Sequence, residues 1–155
     1  MPIEDIVKII LTTKCEHLDL GAVGVSDQDV ETICGYLPEN FSIKKISLYV
    51  NNLSDRSAKA IADFISNNST SICCDIDLSG NNISYQGVRF IEHALNKVKQ
   101  FCFVDLSDNP GFLGEKASIL VFMPLPETAI MQEDTNNFNT PVIDSENKNG
   151  KIKYI

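Results

Sequence analysis

A segment repeated about every 28 residues constrains the fold of this chain more than any other feature of its sequence. Four segments begin at Cys15, Ile43, Cys73 and Phe101, and each contains an apolar-x-apolar pair. The first members of these pairs are 28, 30 and 28 residues apart, and the pairs are Leu18/Leu20, Ile46/Leu48, Ile76/Leu78 and Val104/Leu106. A unit of this length is too short to bury its own core, whereas stacked copies bury a shared one.

An amphipathic segment follows each of the first three pairs. Its apolar residues have the i, i+3, i+7 spacing of a helix with one buried face. They are Val30, Ile33 and Leu37, then Ala58, Ile61 and Ile65, then Val88, Ile91 and Leu95. Ser26 and Ser54 precede two of these segments and are predicted helix N-caps. The sequence therefore predicts a strand, a turn and a helix in each unit, which is an α/β fold.

An asparagine stands five residues after the first apolar residue in three units, as Asn51, Asn81 and Asn109, while the first unit has Val23. This L-x-L-x-x-N pattern, with a helix after it, resembles the ribonuclease-inhibitor class of leucine-rich repeat proteins over residues 15–120. The resemblance implies a horseshoe-like solenoid with parallel strands on its concave face and helices on its convex face. It also implies that the asparagine side chains bond to backbone groups of the turn. Val23 fits an atypical terminal repeat.

The pattern divides the chain into three parts. Residues 1–14 are predicted to form a capping helix, with Ile3, Ile6, Val7 and Ile10 on one side. Residues 15–122 hold about four repeats. Residues 123–155 form a C-terminal cap and a polar tail, because prolines in the segment MPLPETAI prevent a helix from continuing. The cap is expected over 113–130, and a hairpin of PVID with KIKYI around Asn149-Gly150 is one prediction for the tail.

Composition limits the partners and the compartment. A net charge of −8 and a pI near 4.6 disfavour nucleic acid and anionic membrane surfaces. No apolar run approaches the roughly 20 residues of a membrane span, and Glu4 and Asp5 oppose a secretory signal. The odd count of five cysteines favours reduced thiols. We expect a monomer that is cytoplasmic, or translocated into a host cytosol without a secretory signal peptide.

Alternation along the strands predicts which side chains lie opposite the core. They are His17, Asp19, Gly21, Lys45, Ser47, Tyr49, Asp75, Asp77, Ser79, Phe103, Asp105 and Ser107. Four carboxylates against one lysine make this face acidic, and four strands give it a width under about 20 Å. A binding site for a basic or amphipathic protein segment is predicted at His17, Asp19, Lys45, Tyr49, Asp75, Asp77, Phe103 and Asp105, with the two aromatic residues as anchors.

Two other interpretations of these residues remain open. The polar side chains could serve only to keep an exposed sheet soluble. A small cysteine- or carboxylate-dependent hydrolase is the enzymatic alternative, although no nucleophile motif surrounds the cysteines. We predict no catalytic residue, metal site or cofactor. Short, acidic, asparagine-rich repeat proteins of this class also resemble Legionella-like translocated bacterial effectors, and that resemblance implies a host protein as the partner.

Overall fold

The computed structural model describes residues 1–39, 42–68, 74–98, 102–112, 119–124 and 150–154. Six strands and four α-helices lie in these ranges, together with 3-10 turns at Leu37–Glu39 and Pro110–Phe112. In chain order the elements are α1 (Ile3–Thr12), β1 (His17–Asp19), α2 (Asp27–Tyr36), β2 (Lys45–Ser47), α3 (Asp55–Asn67), β3 (Cys74–Asp77), α4 (Tyr85–Leu95), β4 (Cys102–Asp105), β5 (Ile119–Pro124) and β6 (Gly150–Tyr154).

The first four strands form a parallel sheet with successive strands as neighbours. Leu18 pairs with Ile46, Ile46 with Ile76, and Ile76 with Val104. Equivalent positions of the sequence repeat therefore lie side by side. A helix follows each of the first three strands, so the predicted α/β class with a parallel sheet is confirmed.

The core lies between this sheet and the helices. Every apolar residue predicted to face inward on α2, α3 and α4 is buried, as are the apolar pairs of the strands. Ser26 and Ser54 cap α2 and α3 as predicted, because each hydroxyl accepts a backbone N–H of the first turn. Ser84 caps α4 in the same way, which the sequence analysis missed. On α1, Ile6 and Ile10 are buried against the same core.

The C-terminal part of the sheet differs from the prediction. β5 pairs antiparallel with β4, and β6 pairs antiparallel with β5. β5 also runs across the boundary placed at residue 122, because the apolar run ILVFMP forms a strand. The KIKYI segment contributes to a strand as expected, but its described partner is β5. The PVID segment and most of 113–130 lie outside the described residues.

The asparagines form a ladder of hydrogen bonds between successive units, as the resemblance implies. Asn81 accepts the backbone N–H groups of Asn51 and Leu53 on its Oδ1 atom, at 2.9 and 3.0 Å. Its Nδ2 atom donates to three carbonyl oxygens, those of Leu48, Leu78 and Ser79. Asn51 and Asn109 donate to the equivalent three carbonyls one unit before and one unit after it. Asn51 accepts the N–H groups of Gly24 and Val25, and Asn109 accepts that of Ile83. These bonds satisfy buried backbone groups that no strand or helix pairs.

A second set of bonds joins the beginnings of the helices. Asp27, the first residue of α2, accepts the N–H and hydroxyl of Ser54 at 3.0 and 2.7 Å, and the hydroxyl of Ser57. Asp55 binds Ser84 in the same manner. Burial raises the pKa of Asp27, but the hydrogen bonds from Ser57 and Ser54 outweigh it and hold this pKa below the ordinary aspartate value.

Candidate protein-binding face

The strand face is the side of β1–β4, and of the residues that follow these strands, that lies opposite the helices. Strand pairing places its residues in rows across the sheet, with neighbouring strands about 4.8 Å apart. One row is His17, Lys45, Asp75 and Phe103, and the next is Asp19, Ser47, Asp77 and Asp105. All the predicted partner-binding residues of the strands thus come together on one face. Tyr49, two residues beyond Ser47, lies just after β2.

Hydrogen bonds from nearby serines fix two of the carboxylates. Asp77 accepts the N–H and hydroxyl of Ser79 on its Oδ1 atom, at 3.0 and 2.7 Å. Asp105 accepts the same groups of Ser107 at 2.9 and 2.6 Å. These serines were not predicted to act on the site, although the triplet Asp-Leu-Ser occurs in both units. Because the triplets are identical and the strands are in register, both carboxylates have the same orientation.

Asp19 is held more weakly than the other two aspartates of its row. Its Oδ1 atom accepts only the Gly21 N–H, at 3.1 Å. Glycine replaces the serine of the later units, so the hydroxyl donor is missing. The three aspartates are therefore chemically alike but differently restrained.

Ser47 corrects the prediction that each position opposite the core is open to solvent. Its exposed fraction is only 2%, although it interrupts the aspartate row on the strand face. The imidazole Nε2 of His17 lies 2.7 Å from its Oγ atom, so a longer side chain from β1 lies against the serine. Alternation gives the side of the sheet on which a short side chain lies, but it does not show which longer neighbours cover it.

Tyr49 lies across Gly21. A Cβ atom at residue 21 would lie 2.0 Å from a ring carbon of Tyr49, so only glycine leaves room for the ring there. Tyr49 and Phe103 are both partly exposed, and they lie on the second and fourth strand segments of the face. The two aromatic residues predicted as anchors are thus separated by the third strand.

The face is acidic and contains one ion pair. The Lys45 ammonium lies 4.0 Å from the Asp75 carboxylate, and each side chain is 43% exposed. Exposed pairs at this distance contribute about 0–1 kcal/mol to stability. Four carboxylates and one lysine leave the face with net negative charge when His17 is neutral.

The sheet is wider than the four strands used for the predicted width. β5 and β6 extend it beyond β4, so six strands at about 4.8 Å spacing span roughly 24 Å between the outer two. The estimate of under 20 Å is therefore too small for the sheet as a whole. Backbone pairing places Val121 beside Phe103 and Ile119 beside Asp105.

The described thiols give little support to the hydrolase alternative. Burial, with Asp63 and Glu31 nearby, raises the pKa of the Cys34 thiol to about 12, so almost none of it is thiolate at neutral pH. Cys102 is buried, and Cys15 is partly buried and accepts a hydrogen bond from the Thr13 hydroxyl. Among the described residues, no group of three histidine, cysteine or acidic side chains is arranged to hold a metal ion.

Comparison with known proteins does not identify the chain. No protein-family model matches it, and a search of curated proteins finds no significant match. In the part of the chain that the structure describes, no helix is both long and apolar enough to cross a bilayer.

Proposed function

We propose that this chain is a leucine-rich repeat protein of the ribonuclease-inhibitor class, a solenoid that binds another protein through its strand face and has no enzymatic activity. In-register parallel strands, a helix after each of the first three, and the asparagine ladder support the repeat assignment. The partner presents a basic or amphipathic segment to the acidic face. The protein acts as a monomer in a cytosol. The resemblance to translocated effectors suggests that a bacterium delivers it into the cytosol of a host cell.

The observation that carries this proposal is the prior orientation of charged groups on a rigid sheet. Asp77 and Asp105 are held by two hydrogen bonds each before any partner arrives. Ordering a side chain at an interface costs about 0.5–1.5 kcal/mol, so carboxylates that are already ordered reduce the cost of association.

Charge reversal on the strand face tests the proposal. The triple variant Asp19→Lys, Asp77→Lys and Asp105→Lys is compared with wild type for capture of proteins from a eukaryotic lysate at low and high salt. We expect the reversal to abolish capture of any specific partner, because it changes the charge of the face by six units. Circular dichroism and urea unfolding establish that the variant remains folded.

Two controls separate charge from structure in this experiment. The triple Asp→Asn variant keeps acceptors for the neighbouring N–H and hydroxyl groups, and it should weaken capture without changing the fold. Reversal of Glu4 and Asp5, which are exposed on α1, should leave capture unchanged. Capture that persists after the triple reversal and at high salt would refute binding through the acidic face.

A further inference from the structure

The strand face has two halves of different shape. On the half formed by the first two strands, the Tyr49 ring occupies the space above Gly21, and His17 reaches over to Ser47. Side chains of this half therefore pack on one another. On the half formed by β3 and β4, the outward positions carry short aspartates and serines, and Phe103 is the one large side chain among them. A partner segment therefore meets mainly short polar side chains at β3–β4 and larger, packed side chains at β1–β2.

Charge divides the face along the same line. The β3–β4 half carries three carboxylates and no cation, whereas the β1–β2 half carries Asp19 and Lys45 and is neutral with His17 uncharged. Lys45 lies at the boundary, where it approaches Asp75 at 4.0 Å. The β3–β4 half is thus the half with unbalanced negative charge.

The chemistry of this half favours a particular cation. Asp77 and Asp105 bind their serines through Oδ1, and the second oxygen of each has no hydrogen-bond partner among the described residues. These oxygens belong to aligned residues on strands about 4.8 Å apart. A planar guanidinium can donate to two carboxylates at once, whereas an ammonium acts as a compact point charge. The ring of Phe103, one row away on β4, offers a surface on which a guanidinium can stack.

We infer that the partner crosses the strand face over β3 and β4, and that it places an arginine side chain between Asp77 and Asp105 with Phe103 beside it. This inference rests on the proposed function and specifies the chemistry of its partner. It also fixes the position of the partner, because the unbalanced carboxylates lie on β3 and β4 and not on the first two strands. The occupant is a basic segment of a protein that contains arginine. A segment of equal charge with lysine in place of arginine lacks the planar guanidinium and binds less tightly.

Binding of two short peptides tests the inference on the full chain. Capped hexa-arginine and hexa-lysine are titrated at physiological salt while backbone amide signals are followed by NMR. The Ser79 and Ser107 N–H groups bond directly to the two aspartates, and the Gly21 N–H reports on Asp19 in the same way. Hexa-arginine should shift the two serine signals more than the glycine signal, and it should bind at least about fivefold more tightly than hexa-lysine.

Matched single variants complete the test. Asp77→Asn and Asp105→Asn should each weaken hexa-arginine binding about tenfold, whereas Asp5→Asn on α1, with the same loss of charge, should change it by no more than about twofold. Equal affinity for the two peptides, or an equal effect of Asp5→Asn, would overturn the inference. If the peptides do not discriminate but capture from lysate still depends on the strand face, the inference fails and the proposed function stands. If the triple reversal leaves capture intact, the proposed function itself fails.

Discussion

Replacing Asn81 by alanine should destabilise the protein by an amount that the hydrogen-bond pattern defines. The substitution removes the acceptor for the N–H groups of Asn51 and Leu53. It also removes a donor to three carbonyls, but each of these keeps another donor, from Asn51, Asn109 or the Val50 backbone. Two buried N–H groups therefore dominate the cost. At about 1–3 kcal/mol each, they give a loss of about 2–6 kcal/mol from a total stability of about 5–15 kcal/mol.

Urea unfolding monitored by circular dichroism measures this loss as a fall in the transition midpoint at constant slope. Asn82→Ala is the matched control, because Asn82 is adjacent and exposed, and it should change the free energy of unfolding by less than about 0.5 kcal/mol. The free energy of unfolding of Asn81→Asp should also fall, since a carboxylate accepts the two N–H groups but opposes three carbonyl oxygens. A cost for Asn81→Ala no larger than that for Asn82→Ala would refute the stabilising role of the ladder.

Three further predictions concern strain, pH and thiol reactivity. Val50 is 58% exposed and has a φ of +52°, a conformation that disfavours β-branched residues. Val50→Asn should therefore raise the melting temperature by about 2–4 °C. Val50→Thr keeps the branching and should not raise it. Folding lowers the pKa of Asp27. The Asp27 carboxylate therefore stabilises the folded protein above its unfolded pKa near 3.8, and this stabilisation is lost as pH falls through the folded pKa. The difference in unfolding free energy between wild type and Asp27→Asn should therefore be largest near pH 6 and shrink below about pH 4, and a constant difference would contradict the bonds to Ser54 and Ser57. Cys34, with its pKa near 12, should react with iodoacetamide at pH 7.5 at least about a hundredfold more slowly in native than in unfolded protein. Mass spectrometry measures the labelling. Rapid labelling of the native protein would support the thiol-enzyme alternative.

Features that repeat in the sequence were predictable. The positions of Ile46 and Ile76 within their units gave both the parallel pairing and the register, because equivalent residues of stacked units must lie side by side. The role of Asn81 followed from its constant offset after the apolar pair. The sign of charge on the strand face followed from strand alternation alone.

Features that depend on contacts between non-equivalent residues were not predictable. The burial of Ser47 under His17 and the contact of Tyr49 with Gly21 are specific to the first two units, so no repeat pattern indicates them. β5 was missed because its apolar run ends at a proline and follows no repeat spacing. The positive φ of Val50 falls where the later units have Gly80 and Asp108, and only the comparison of all units shows that this turn needs a left-handed residue.

Equivalent positions of the four units are of two kinds, those that keep one residue type and those that vary. Stability depends on positions that recur, such as Asn81, and the second, third and fourth units all supply an asparagine there. The row that contains His17, Lys45, Asp75 and Phe103 carries basic, acidic and aromatic side chains, although the four backbones are equivalent. Packing makes no demand that would select a base, an acid and an aromatic ring at equivalent exposed sites. What these residues have in common is the surface that they present, and their variety supports the proposal that this surface recognises a partner.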